Sequence, residues 1–170
     1  MPFVSGGYWG LRFLDGKARE ELMDYTIEIG GHMLYGYDPD PDVIGPEVFR
    51  EYADRKNVPL LLSISNTMIE NGSPEEIIAY TRRFVMAGKN GKTPFQLNYS
   101  NIGPSLPVEK VMFSIAAART HGQPEATAET PVEVPMIQSF EDFLKHKLSN
   151  NPEGYHFEWL KYSGYRHLAR

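Results

Sequence analysis

A chain of 170 residues, 41% hydrophobic and 23% charged, has the balance of an ordinary globular domain and enough length for a single core. A net charge of -5 without any basic run argues against nucleic acid or an anionic membrane as the main partner. The absence of cysteine excludes disulfides, thiolate metal sites and cysteine nucleophiles, and with no bilayer-length apolar stretch and no basic-flanked leader the expectation is a soluble cytoplasmic protein.

The first element is read in MPFVSGGYWGLRFLDG, residues 1–16, where a short apolar run empties into Gly6-Gly7 as a strand does into a loop. KAREELMDYTIEIGG follows with Leu22, Tyr25, Thr26 and Ile29 at i, i+3, i+4, i+7, predicting a one-sided helix closed by Gly30-Gly31. HMLYGY, 32–37, is a second strand, and the proline-rich DPDPDVIGP after it is expected to be a loop that neither extends a strand nor sustains a helix. PEVFREYADRK, 46–56, carries Pro46 at a first helical position and Val48, Phe49, Tyr52 and Ala53 on one side. NVPLLLSI is nearly unbroken in its apolarity, as a strand covered on both faces is.

After SNTMIENG, expected as a loop, Ser73-Pro74-Glu75-Glu76 opens another helix with a capping box: the Ser73 hydroxyl takes the Glu76 N–H, and Glu76 reaches back. Ile77 with Phe84 and Ile78 with Val85 form its apolar stripe, and Gly88 is expected to stop it. TPFQLNY is a strand and PVEKVMFSIAAARTHG a helix, with Val108, Val111, Met112 and Ile115 toward a core. Four strand–helix units in 1–122 predict an α/β fold with a parallel sheet. Residues 123–135 read as a linker or extended arm, Ser139 to Leu148 as one more helix, and GYHFEWLKYSGYRHLAR as an aromatic tail that docks on a partner or on the domain itself.

A (β/α)₈ barrel needs about 250 residues, so four units are half of one. Gly72-Ser73-Pro74-Glu75-Glu76-Ile77 and, after the next strand, Ile102-Gly103-Pro104-Ser105-Leu106-Pro107-Val108-Glu109-Lys110-Val111 resemble, in order and spacing, the C-terminal half of the uroporphyrinogen decarboxylase superfamily, which includes methyltransferases serving corrinoid proteins. GGHMLYGYDPDPDVI is similar to that family's glycine-led strand ending in an acid, with Asp38 as the counterpart. The resemblance spans roughly 1–122, is carried by 58–122, and leaves residues 123–170 as a linker and arm of the chain's own.

The resemblance implies a half-barrel with its chemistry at the C-terminal ends of the strands. It puts Asp38 and Ser100 in catalytic places and Asn66, Tyr99, Asn101 and Tyr8, just after strands, around a substrate; His32, at the start of an apolar run, is a further candidate for facing that pocket. The zinc-binding His and Cys positions of the methyltransferases fall on Phe3, Ser5 and Ser100, none a zinc ligand, so no metal is expected. No cofactor is expected on this chain, with a corrinoid expected only on a partner protein. A strand-end loop histidine of the decarboxylases falls again on Ser100, and their main acid and arginine contacts belong to the missing half. Three readings stay open: part of a methyl-transfer enzyme acting on a small methylated donor, part of a porphyrinogen-type decarboxylase, and a non-catalytic subunit. In each, the open sheet edges call for a second chain, either a separate N-terminal half or another copy.

Each candidate also has a plainer reading. His32 is either pocket-facing or a hydrogen-bonded structural residue, and Asp38, Asp40 and Asp42 either gather at a site or belong to a solvated loop lacking the glycine of an EF-hand. Asn66, Tyr99, Ser100 and Asn101 either meet a ligand or bond their own loop backbone, and SGGYWG, without a phosphate-loop frame, reads as a turn.

Overall fold

The computed structural model describes residues 9–99 and 106–134. The predicted first strand, the loop after the last strand and the arm beyond 134 lie outside the described residues, and those described belong to one compact unit.

A 3₁₀ turn, Leu11–Phe13, leads into α1, Gly16–Ile29; then come β1, Leu34–Gly36; α2, Asp40–Ile44; α3, Pro46–Lys56; β2, Leu60–Ile64; α4, Asn66–Asn71; α5, Pro74–Lys89; β3, Phe95–Tyr99; and α6, Val108–His121. The three strands form one parallel sheet in the order β1-β2-β3, with Leu34 beside Leu60, Leu60 beside Phe95, and Ile64 beside Tyr99. All five residues of β2 are buried, as its unbroken apolarity predicts for a central strand. β3 pairs with β2 alone among the described residues and is only partly buried.

Leu60, Leu62, Ile64, Phe49, Ile77 and Phe84 have no exposed surface and form the centre of the core. Removing such a side chain from water is worth about 1.5–3 kcal/mol. The capping box at Ser73 is formed in full, with Glu76 N–H donating to Ser73 Oγ at 3.2 Å and Ser73 N–H to Glu76 Oε2 at 2.8 Å. Arg50, 5% exposed, binds α3 to the α5–β3 connection by donating to the Gly88 and Thr93 carbonyls, each at 3.2 Å, and to Asp54 Oδ1 at 2.6 Å.

Several local expectations are corrected. DPDPDVIGP contains a helix, α2, because Pro39 is its N-cap and Pro41 lies in the first turn, where a missing N–H removes no bond, while Asp40 and Asp42 suit the positive helix end. α2 packs closely on β1: a Cβ on Gly36 would lie 2.7 Å from Leu62, 3.0 Å from Pro41 and 3.1 Å from Phe49, so only glycine fits there. SNTMIENG also holds a helix, α4, fixed by the fully buried Ile69. Gly88 does not stop α5, which continues to Lys89; its role is close approach, since a Cβ would sit 2.2 Å from the Phe95 ring.

Two helix faces also differ from expectation. In α1 Thr26 is buried and Leu22 packs on the core as expected, but Met23 is buried with them and Tyr25 is 53% exposed and edge-on to Trp9 at 6.4 Å. In α6 the fully buried face is Ser114, Ala117 and His121 rather than Met112 and Ile115, because small side chains let α6 lie closely along α5.

Candidate functional site

In a parallel sheet all strands end on the same side, where the first residues after each strand are brought together. Here β1 delivers Tyr37 and Asp38, and β2 delivers Ser65 and Asn66. The residues that follow β3, with Ser100 and Asn101, lie outside the described residues, as does Tyr8.

Asp38 and Asn66 share an unusual feature. Asp38 Oδ1 and Asn66 Oδ1 are both buried, and neither has a hydrogen-bond partner among the described residues. An unpaired buried acceptor costs about 1–3 kcal/mol, so each of the two calls for a donor from a ligand, from water or from beyond the described residues.

The three aspartates of the β1–α2 turn have separate fates. Asp40, 2% exposed, is structural: its carboxylate accepts from Leu11 N–H at 2.9 Å, Arg12 N–H at 3.3 Å and Arg12 Nη1 at 2.8 Å. Asp42 faces α5, where Tyr80 donates its hydroxyl to Asp42 Oδ1 at 2.6 Å. Although the residue is exposed overall, its carboxyl is held above the usual aspartate range by partial desolvation against α5; the Tyr80 hydrogen bond opposes this, the nearby Asp38 carboxylate adds to it, and Arg83 opposes it.

Tyr80, which sequence reasoning missed, joins these elements. Its hydroxyl accepts from Ser65 N–H at 3.0 Å while donating to Asp42, and its ring packs on Phe84 at 4.7 Å. Burial and the Asp42 hydrogen bond push its own ionisation far above the ordinary tyrosine range, so it remains a donor. The available signal was a polar-tipped aromatic within the apolar stripe of α5, three residues past Ile77 and four before Phe84.

Tyr37 stacks on Tyr35 with ring centroids 5.5 Å apart, and burial followed by the Tyr35 neighbour raises its ionisation. Tyr99 directs its hydroxyl into the helix layer, donating to Ser114 Oγ at 2.9 Å, and burial raises its ionisation against the Ser114 hydrogen bond. His32 is exposed in a left-handed turn at the other end of β1, its N–H donating to the Ile27 carbonyl at 3.0 Å. The structure thus joins Asp42 to Tyr80 and sets Asp38 beside Asp42, with Asn66 at the neighbouring strand end, and leaves His32 and the Tyr99 hydroxyl apart from them.

The chain has no cysteine, and among the described residues no group of three His, Asp or Glu stands close enough to hold a metal. No described helix is long and apolar enough to cross a membrane. A groove of about 170 Å³ between α1 and α3, floored by Met23 and Tyr52, and one of about 410 Å³ beside Phe95 and Leu97 both lie away from these strand ends. Comparison with protein-family models, with curated proteins and with solved structures found no match to this chain.

Proposed function

We propose that the chain is half of a uroporphyrinogen decarboxylase-like barrel and that the strand ends bearing Asp38, Asp42 and Asn66 are its share of an active site. The reaction is transfer of a methyl group from a small methylated donor to a corrinoid or similar acceptor held by a partner protein, in the cytoplasm. The observation that carries this reading is the pair of buried acceptors, Asp38 Oδ1 and Asn66 Oδ1, without a partner among the described residues, at the C-terminal ends of adjacent parallel strands. Such oxygens take N–H or O–H donors, which an amine or a protonated leaving group supplies.

In methyl transfer the bond between the methyl carbon and the donor's heteroatom breaks, with its electron pair staying on the heteroatom. The carbon joins the acceptor, and the heteroatom takes a proton. A carboxyl that keeps its proton to higher pH than a free aspartate suits that last event, and Asp42 beside Asp38 has this character. The second chain completes the barrel beyond β3, whose part-buried residues and single partner among the described residues favour an added neighbour.

The test is made on the chain purified with whatever binds it, using methylated amines and methyl ethers as donors and cob(I)alamin as acceptor. Asp42→Asn is expected to lower kcat/KM about 100-fold, the low end of what a general acid contributes, and Asp38→Asn, which removes the neighbouring carboxylate, to lower it as well. Carbon dioxide release from a porphyrinogen without methyl transfer would replace this reading by the decarboxylase one. Unchanged activity in both Asp38→Asn and Ser100→Ala would leave a scaffold.

A further inference from the structure

We infer that Tyr80 is a positioning residue of this site, holding the Asp42 carboxyl beside Asp38 through the same hydroxyl that fastens α5 to the end of β2. The inference rests on reading these strand ends as the site. Its basis is the direction of two hydrogen bonds. Ser65, 6% exposed, has its N–H aimed at the Tyr80 oxygen at 3.0 Å, and that amide cannot reverse its role. The phenol therefore accepts on one side and has its single proton for the other, where Asp42 Oδ1 receives it at 2.6 Å. The Phe84 ring at 4.7 Å keeps the phenol from swinging away.

Tyr80 and Arg83 of α5 and Asp38 of the β1–α2 turn act on the Asp42 carboxyl. Arg83 is drawn off by Glu47 of α3, to which it donates two hydrogen bonds of 3.0 Å, from Nε to Oε1 and from Nη2 to Oε2. Tyr80 is thus the group that fixes where Asp42 points. It also opposes the proton affinity that desolvation and Asp38 confer, so the hydroxyl both orients the acid and limits how tightly it holds its proton.

Tyr80→Phe removes this hydroxyl and keeps the ring. Carbon-13 NMR of the full chain should show the Asp42 carboxyl titrating at higher pH in Tyr80→Phe than in the parent. The Ser65 amide, having lost its acceptor, should exchange with solvent about 2- to 10-fold faster, as expected for loss of one hydrogen bond. An Asp42 titration identical in the two folded proteins would overturn the inference. In the unmodified chain the Tyr80 Cζ resonance should move with the Asp42 titration, and independence of the two would overturn it even if Tyr80→Phe does not fold. These readouts need no substrate. Expected shifts in a chain whose assembled form transfers no methyl group would sink the methyl-transfer reading and leave the role of Tyr80 standing.

Discussion

The contact between α5 and α6 turns on three hydroxyls, and removing the middle one gives a sharp test of the packing. Ser114 Oγ accepts from Tyr99 Oη at 2.9 Å and shares a 2.7 Å hydrogen bond with Thr81 Oγ1, and both Ser114 and Thr81 are fully buried. Ser114→Ala strands the Thr81 hydroxyl at a site water does not reach and the Tyr99 hydroxyl at one partly open. A stranded buried group costs about 1–3 kcal/mol. Thr81 can fall back on the carbonyl one turn earlier in its own helix, which moves the expected loss to about 1–2 kcal/mol. Thr81→Val leaves Ser114 bonded to Tyr99 and should cost less, about 0.5–1 kcal/mol. In the double variant neither of the two fully buried hydroxyls of this contact remains, so its loss should fall short of the sum of the singles by about 0.5–1 kcal/mol. Urea unfolding followed by circular dichroism reads this directly: with a slope of about 1–2 kcal/mol per molar, Ser114→Ala lowers the midpoint by about 1 M. Strictly additive losses, or a Thr81→Val loss larger than that of Ser114→Ala, would refute the reasoning.

Asp40→Ala should cost about 2–3 kcal/mol, because it strands the Leu11 N–H in the core and releases Arg12, and should lower the thermal midpoint by about 6–12 °C; a fall under about 2 °C would mean the knot contributes little. His121 provides a pH test. Its surface is fully enclosed although it lies toward the periphery of α6, its Nδ1–H donates to the Thr127 carbonyl at 3.1 Å, and Nε2 has no partner among the described residues. Burial, helped by Arg82 and Lys89 and opposed by the Thr127 bond, lowers its proton affinity below that of the unfolded chain. The unfolded state then binds the proton better, so stability is full above about pH 6.5 and falls as the pH drops below it. His121→Gln should flatten the histidine part of that fall between pH 7 and 5, measured by urea midpoints, and an unchanged slope would contradict it.

Features set by local chemistry were legible in the sequence. α3 runs from Pro46 to Lys56 as its proline start and apolar spacing require, β2 is buried along its length, and the capping box at Ser73 forms with both bonds. The short helices α2 and α4 were not legible. Each is about a turn long, too short for periodicity to register, and is held by contacts distant in sequence such as Pro41 on Gly36. The same limit governs the site. Asp38, Asp40 and Asp42 are equivalent in DPDPD, and only the partners 28 or 29 residues away from Asp40 and 38 residues away from Asp42 separate a structural carboxylate from one facing Tyr80. Met112 and Ile115 had the right spacing, yet Ser114 and Ala117 were buried instead, because close helix contact selects small side chains that a count of apolar positions overlooks.

If these strand ends are half of a site completed by another chain, as proposed, the native mass of the protein taken from the cells that make it should reveal the second chain. The expected species is heavier than the 19.3 kDa chain, either a multiple of that mass or the chain bound to a second polypeptide. A stable species of 19.3 kDa alone would contradict it.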